Sequence, residues 1–183
     1  MNLTRRLIPI FAALVLVVAL AGSTFAGGAS HASATFVDTT GATIGWAGLV
    51  EDATGRVHVN IHVSGLTPGL HGIHIHAVGA CSPTFAAAGG HYNPLGHQHG
   101  LDNPSGPHAG DLPNLIVNGA GVGHLDATTD RVTLSPGPAT LFDATPLAVG
   151  SAFIIHANPD DQVTDAGNGG SGARIACAVI QPD

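Results

Sequence analysis

Gly69-Leu70-His71-Gly72-Ile73-His74-Ile75-His76 alternates histidine and isoleucine over its second half. In an extended chain successive side chains point to opposite faces, so His74 and His76 share one face and Ile73 and Ile75 the other. Two imidazoles two residues apart on a rigid strand are half of a metal-chelating set. Two polar residues on the wet face of an antiparallel strand would show the same pattern, so the surrounding chain has to decide.

Upstream, Arg56 to Val63 alternates without a break. Val57, Val59, Ile61 and Val63 occupy one face and His58, Asn60 and His62 the other, which predicts a half-buried antiparallel strand with His58 and His62 toward solvent. Other β-prone runs are Ser33 to Asp38, Ala42 to Val50, Ile73 to Val78, Leu112 to Val117, Val122 to Thr128, Ala152 to His156 and Arg174 to Ile180. Val132 to Leu134 fits either a short strand or an extended link. Turn residues separate these runs, and neither a helical period nor an internal repeat is present. About eight short strands with such spacing predict an all-β fold, an eight-stranded antiparallel Greek-key barrel or sandwich. Two long irregular stretches interrupt it, Gly79 to Asp111 and Asn158 to Ala173. Loops of this length inside a compact domain are functional or disordered, and the histidines and Cys81 of the first argue for order.

The chain of 183 residues is long enough for one domain with a real core. Residues 1–26 read as a signal peptide: Arg5 and Arg6, an apolar run from Leu7 to Gly22, then Thr24-Phe25-Ala26 as a cleavage site, with Ser30 to Ala34 an alternative. The rival is a retained N-terminal anchor, although the run is short for the roughly 20 residues a membrane span needs. Residues 27–33 then form a short linker and 34–183 the domain. Export places the protein in an extracellular, cell-envelope or periplasmic setting. There Cys81 and Cys177, the only cysteines, read as one disulfide. Closing a loop of about 96 residues stabilises by at most about 4–5 kcal/mol.

Lysine is absent, and residues 27–183 carry three arginines against twelve acids, a net charge near −9. Nucleic acid is excluded as a partner, because phosphate binding needs a basic face. Twelve histidines beside so few cations point instead to metal. His91, His99, His108 and Asp111 offer three imidazoles and a carboxylate, a set suited to a closed tetrahedral zinc site. His74, His76 and His156 leave a second, all-nitrogen set, which suits Cu(II).

With these residues in view, the chain resembles the copper–zinc superoxide dismutase family, and in particular its exported bacterial branch. The matching pieces are Gly69 to His76, Gly90-His91-Tyr92-Asn93-Pro94, His99-Gly100, Gly106-Pro107-His108-Ala109-Gly110-Asp111-Leu112, Ile154-Ile155-His156-Ala157 and Gly172-Ala173-Arg174-Ile175-Ala176-Cys177. They run from about Ala34 to Ile180. The resemblance implies that His74, His76, His91 and His156 hold copper and that His91, His99, His108 and Asp111 hold zinc. His91 would be shared as an imidazolate. Arg174 would hold the substrate anion beside copper, and Cys81–Cys177 would be the family's disulfide. Asp160 would hydrogen-bond one copper and one zinc histidine, and His71 would brace loops. The implied activity converts superoxide to dioxygen and hydrogen peroxide. The alternative is a non-enzymatic exported domain that stores or delivers copper and zinc, or one that zinc alone stabilises. The complete ligand set and Arg174 favour the enzyme.

Some positions depart from the family pattern. Ala77 stands where many relatives carry an acid, and Ile73 replaces a usual phenylalanine. The stretch between Cys81 and His91 is long, and that between His156 and Arg174 is short and lysine-free. These changes bear on how an anion is guided and on subunit contacts. A monomer and a homodimer both fit, and a membrane tether follows only from an uncleaved N-terminus. His31, His58, His62, His97 and His124 match no ligand position and read as solvated. Asp161 and Asp165 read as loop acids without a task, Tyr92 and Asn93 as loop packing, and Trp46 as apolar packing.

Overall fold

The computed structural model describes residues 30–142, 150–166 and 168–183. The expected signal peptide and the first part of the linker lie outside the described residues. Among them the chain forms β1 (His31–Asp38), β2 (Thr43–Glu51), β3 (Val57–Ser64), β4 (Gly69–His71), β5 (Ile73–His76), β6 (Leu115–Val117), β7 (Val122–Thr129), β8 (Ala152–His156), β9 (Arg174–Val179) and β10 (Gln181–Pro182). The expected eight strands are thus ten. The first begins at His31, so His31 to Ser33 belong to the sheet and not to a linker. Val132 to Leu134 form no strand, and only an isolated bridge joins Thr133 to Thr140.

The stretch from Gly69 to His76 is two strands, and the break at Gly72 is what rolls the sheet up. The sheet order is β4-β6-β7-β3-β2-β1-β9-β8-β5, with β10 beside β1. β4 and β5 therefore lie at opposite edges of the sheet, yet only Gly72 separates them in the chain. The edges are pinned together there. Gly72 N–H donates to the Asn158 carbonyl and its own carbonyl accepts from His156 N–H, each at 2.8 Å. The ring nitrogens of His71 lie 2.7 Å from the His156 carbonyl and 2.8 Å from the Thr67 carbonyl, so the ring spans the same seam. A Cβ on Gly72 would sit 2.7 Å from Ser171 Cβ, which explains why glycine occupies the corner.

Period-two patterning fills the barrel. Val57, Val59, Ile61 and Val63 of β3 point inward with Phe36, Leu49, Ile73, Ile75, Leu115, Phe153 and Ile155. Burying each of the larger side chains stabilises by roughly 1.5–3 kcal/mol. β5 and β8 are buried on both faces. Their inner residues join the core, while His74, His76, Ile154 and His156 face outward beneath the two long loops. A short 3-10 helix, Phe85–Ala88, lies in the first loop. Phe85, Ala88 and Cys81 pack there against Ala152, Ile154 and Cys177.

Cys81 and Cys177 are bonded, which ties that loop to β9 across 96 positions of sequence. Cys81→Ser is expected to lower the free energy of unfolding by about 2–5 kcal/mol, the range for a native disulfide closing a long loop. Chemical denaturation of the two proteins checks this, and equal midpoints would contradict it.

Candidate metal centre

The free edge of β5 is hydrogen-bonded by the loop. Ile75 N–H donates to the Gly110 carbonyl and Tyr92 N–H donates to the Ile75 carbonyl, both at 2.8 Å. Gly110 N–H donates to the Tyr92 carbonyl at 2.9 Å, and Ala77 N–H to the Gly90 carbonyl at 2.9 Å. The loop thereby covers an edge that would otherwise expose unpaired amides. It also sets His91 and Asp111 beside His76 and His74. This backbone pairing brings residues distant in sequence into one site. β8 supplies the rest, because Ile73 pairs with Ile155 and His156 ends the strand beside them.

Two donor sets result. In the first, ligand atoms of His74, His76, His91 and His156 all lie within 4.8 Å of one another. Nδ1 of His74 and Nε2 of His76, His91 and His156 are buried without any hydrogen-bond partner. A buried polar atom left unsatisfied costs roughly 1–3 kcal/mol, so four on one spot are accounted for by a ligand that takes four nitrogen lone pairs. Burial holds His74 down to about 3, His76 to about 2 and His156 to about 4, so these rings are neutral and their lone pairs free. Neutral imidazoles in this number fit copper.

In the second set, His91 Nδ1 lies 3.1 Å from Asp111 Oδ1 and 3.2 Å from His108 Nδ1. His99 Nδ1 is 3.1 Å and His108 Nδ1 3.4 Å from the same Asp111 oxygen. A tetrahedral ion with arms of about 2.0–2.1 Å has donor–donor edges of about 3.3–3.4 Å. These residues fit zinc. Asp111 Oδ2 is occupied by the backbone N–H groups of Gly100 and His108, which leaves Oδ1 for the site.

The two sets are locked together by Asp160. Its Oδ2 accepts from His74 Nε2 at 2.7 Å and lies 2.9 Å from His99 Nε2. With the proton fixed on Nε2, each ring turns Nδ1 toward its own donor set. Burial alone would raise Asp160, but the hydrogen bonds from His74, His99 and Gln162 hold it well below the ordinary carboxylate range. His99 goes the other way. Burial would lower it, yet Asp111 and Asp160 together lift it to about 9.

Arg174 lies opposite His156 in the β8–β9 register. Its guanidinium donates to the carbonyls of Phe85 at 2.7 Å and Gly89 at 2.6 Å. The Gly89 carbonyl also accepts from His76 Nδ1 at 2.9 Å, so one carbonyl couples the arginine to a member of the first set. Five guanidinium N–H donors exist, so others remain for an anion.

Several contributors were not visible in sequence. Asn114 clamps Asp160 from both sides, accepting its N–H and donating to its carbonyl at 2.8 Å each. Arg131 Nη2 donates to the Asp111 carbonyl at 2.7 Å. Asp165, read as a loop acid without a task, accepts His99 N–H at 2.7 Å. Asn and Asp at such spacings have no signature of their own, because their partners are backbone groups far along the chain. His31, His58, His97 and His124 are exposed, as expected, whereas His62 is half-buried between Trp46 and His124. Trp46, expected in apolar packing, is half exposed.

Two expected outcomes follow from this geometry. A Cβ on Gly110 would lie 2.2 Å from the Ile75 carbonyl oxygen. Gly110→Ala must therefore open the loop–β5 pairing and move Asp111. Zinc affinity is expected to fall by at least about tenfold, as when groups orienting a ligand are lost. Chelator competition checks this, and an unchanged affinity would refute it. The second outcome concerns pH and the metal-free chain. His74, His76 and His156 are held low in the fold, so the unfolded chain binds more protons as pH falls below about 6.5, and stability is lost on that side. His99 is raised to about 9, so its contribution is present below about 6.5 and lost as pH rises toward 9. The metal-free chain should be most stable near pH 6.5–7, by denaturation midpoints across the range.

The barrel carries one all-nitrogen donor set and one mixed set with a carboxylate, each able to hold a metal ion. The family model for copper/zinc superoxide dismutase (SODC) matches residues 43–180. A copper–zinc superoxide dismutase of Aquifex aeolicus is 43% identical over 154 residues, 82% of this chain and 86% of the relative. One from Mesembryanthemum crystallinum is 35% identical over 137 residues, 72% of this chain and 83% of the relative. Among solved structures, a SOD-like protein from Bacillus subtilis is 36% identical with a TM-score of 0.73, covering 83% of this chain and 98% of its own. The chain belongs to the copper/zinc superoxide dismutase family, enzymes whose cofactors are copper and zinc.

Proposed function

We propose that the protein dismutes superoxide, turning two superoxide anions and two protons into dioxygen and hydrogen peroxide. The observation that supports this most is His91, whose two ring nitrogens belong to different donor sets: Nε2 joins the first and Nδ1 the second. A ring that ligates through both nitrogens has lost both protons and is an imidazolate. His74, His76, His91 and His156 would hold copper, which would supply the alternating gain and loss of one electron that the two half-reactions require. His91, His99, His108 and Asp111 would hold zinc, which has no redox chemistry and would keep His91 oriented.

Arg174 attracts and orients the anion through N–H donors not used by Phe85 and Gly89. When it does not ligate copper, His91 Nε2 would hold one proton for the second half-reaction and pass it to the second superoxide, the other proton coming from solvent. Its Nδ1 would stay in the set it forms with His99, His108 and Asp111, which would hold the ring in place. Asp160 and Asn114 keep the histidine tautomers fixed throughout.

The protein works outside the cytoplasm. The Cys81–Cys177 bond and the signal-like residues 1–26 support export. Cleavage after Ala26 leaves β1 whole. Cleavage within Ser30 to Ala34 would strip Ala32 and Ala34 from the core.

Stepwise loading tests the reading. Zinc alone should bind and leave the protein inactive, and about one equivalent of copper should then bring superoxide consumption with peroxide release. Binding of both ions without turnover would mark a metal-carrying domain instead.

A further inference from the structure

A third group of imidazoles lies on the outer face of β3 and β7, separated from β8 in the sheet order by β2, β1 and β9. His62 and His124 are direct cross-strand partners. Their ring centroids are 4.4 Å apart with the planes inclined at 45°. His124 Nε2 donates to Asp126 Oδ2 at 2.7 Å. Asp126 in turn accepts from the Asn60 amide. Those two hydrogen bonds, from Asn60 first and His124 second, hold Asp126 below the ordinary carboxylate range, so it stays an ionised acceptor. This is the carboxylate–histidine arrangement that fixes a ligand tautomer: the proton sits on Nε2 and the lone pair on Nδ1. A solvated pair of rings has no need of a carboxylate that is itself held in place.

We propose that His62 and His124 form a separate surface site for a divalent transition-metal ion, with Asp126 orienting His124. Imidazole donors place Cu(II) above Zn(II) in the order of affinities. Water completes the coordination, because the side chains of His124 and Asp126 are 47% and 67% exposed. Nothing in the dismutation chemistry uses these residues, so the site stands independently of that reading.

The structure also supplies a reporter. Trp46 is the only tryptophan in the chain. It pairs with His62 across β2 and β3, and the two ring centroids are 4.8 Å apart. Cu(II) chloride added at neutral pH to protein already loaded with copper and zinc should quench most of the Trp46 emission and saturate at about one equivalent. His124→Gln should weaken the apparent affinity by more than about tenfold, and Asp126→Asn by less than the loss of the ligand itself. His58→Gln, on the same face of β3 but outside the pair, should leave the quenching as it is. Superoxide consumption should be unchanged in all three. Electron paramagnetic resonance of the added copper should show two nitrogen donors. Absence of quenching in the wild-type protein, or quenching that persists unaltered in His124→Gln, would overturn the proposal.

Discussion

Asp160→Asn is expected to weaken both metal sites at once, each by about 10–100-fold. Asp160 receives N–H groups from His74 at 2.7 Å and His99 at 2.9 Å. An amide of the same shape carries no charge, and it turns an NH2 donor toward His99 if that group replaces Oδ1 and toward both rings if it replaces Oδ2. A ring that meets the NH2 must then move its proton to Nδ1, the atom that belongs to its donor set, or swing away. Both rings lose the carboxylate charge that held their protons on Nε2, and since His74 and His99 sit in different sets, both sites weaken. Chelator titrations of copper and zinc on the same protein read both losses. Affinities within about twofold of wild type for both ions would contradict the role given to Asp160. Asn114→Ala releases the backbone of Asp160 and leaves the carboxylate's chemistry unchanged, so a smaller loss in the same direction is expected.

Arg174→Ala is expected to cost about 10–100-fold in the rate of superoxide consumption, the scale of one lost hydrogen bond to a charged group, about 1.5–3 kcal/mol. The residues from 27 onward carry no lysine and a net charge near −9, so the surface as a whole repels the substrate. Local attraction by Arg174 and the bound ions has to overcome that. Without the guanidinium, repulsion acts with less opposition, and added salt should speed the variant by screening it. Arg174 also holds Phe85 and Gly89 by their carbonyls, so Arg174→Lys serves as the control that restores charge without the two-pronged grip. A Lys variant that recovers part of the rate locates the loss in charge. An Ala variant with nearly full activity across ionic strengths would remove Arg174 from the account.

The residue types at the centre were legible in sequence because spacing carries them. His74 and His76 fall on one face of a strand, and His91, His99, His108 and Asp111 cluster in one irregular loop. The half-buried face of β3 was equally plain from Val57, Val59, Ile61 and Val63. Three things were not legible. Period two continues through Gly72, so nothing local shows that the chain crosses there from one sheet edge to the other. Which ring nitrogen faces which ion depends on Asp160 and the Gly89 carbonyl, and those contacts form only when distant segments pack. The contributions of Asn114, Arg131 and Asp165 run through backbone groups, which have no sequence identity to match. Trp46 was misjudged for a related reason. An aromatic residue in a strand reads as apolar packing, but the outward phase of β2 at that position sets it half exposed against His62, with the rings inclined at 35°.

The most direct test of the account is the decay of a pulse of superoxide in the presence of protein carrying one copper and one zinc per chain. Decay should become first-order in superoxide, with a rate proportional to protein concentration. The second-order constant should approach the diffusional ceiling of about 10⁸–10⁹ M⁻¹s⁻¹, for which superoxide dismutases are themselves a standard example. Fully loaded protein that leaves the slow, spontaneous second-order decay of superoxide unaltered would contradict it.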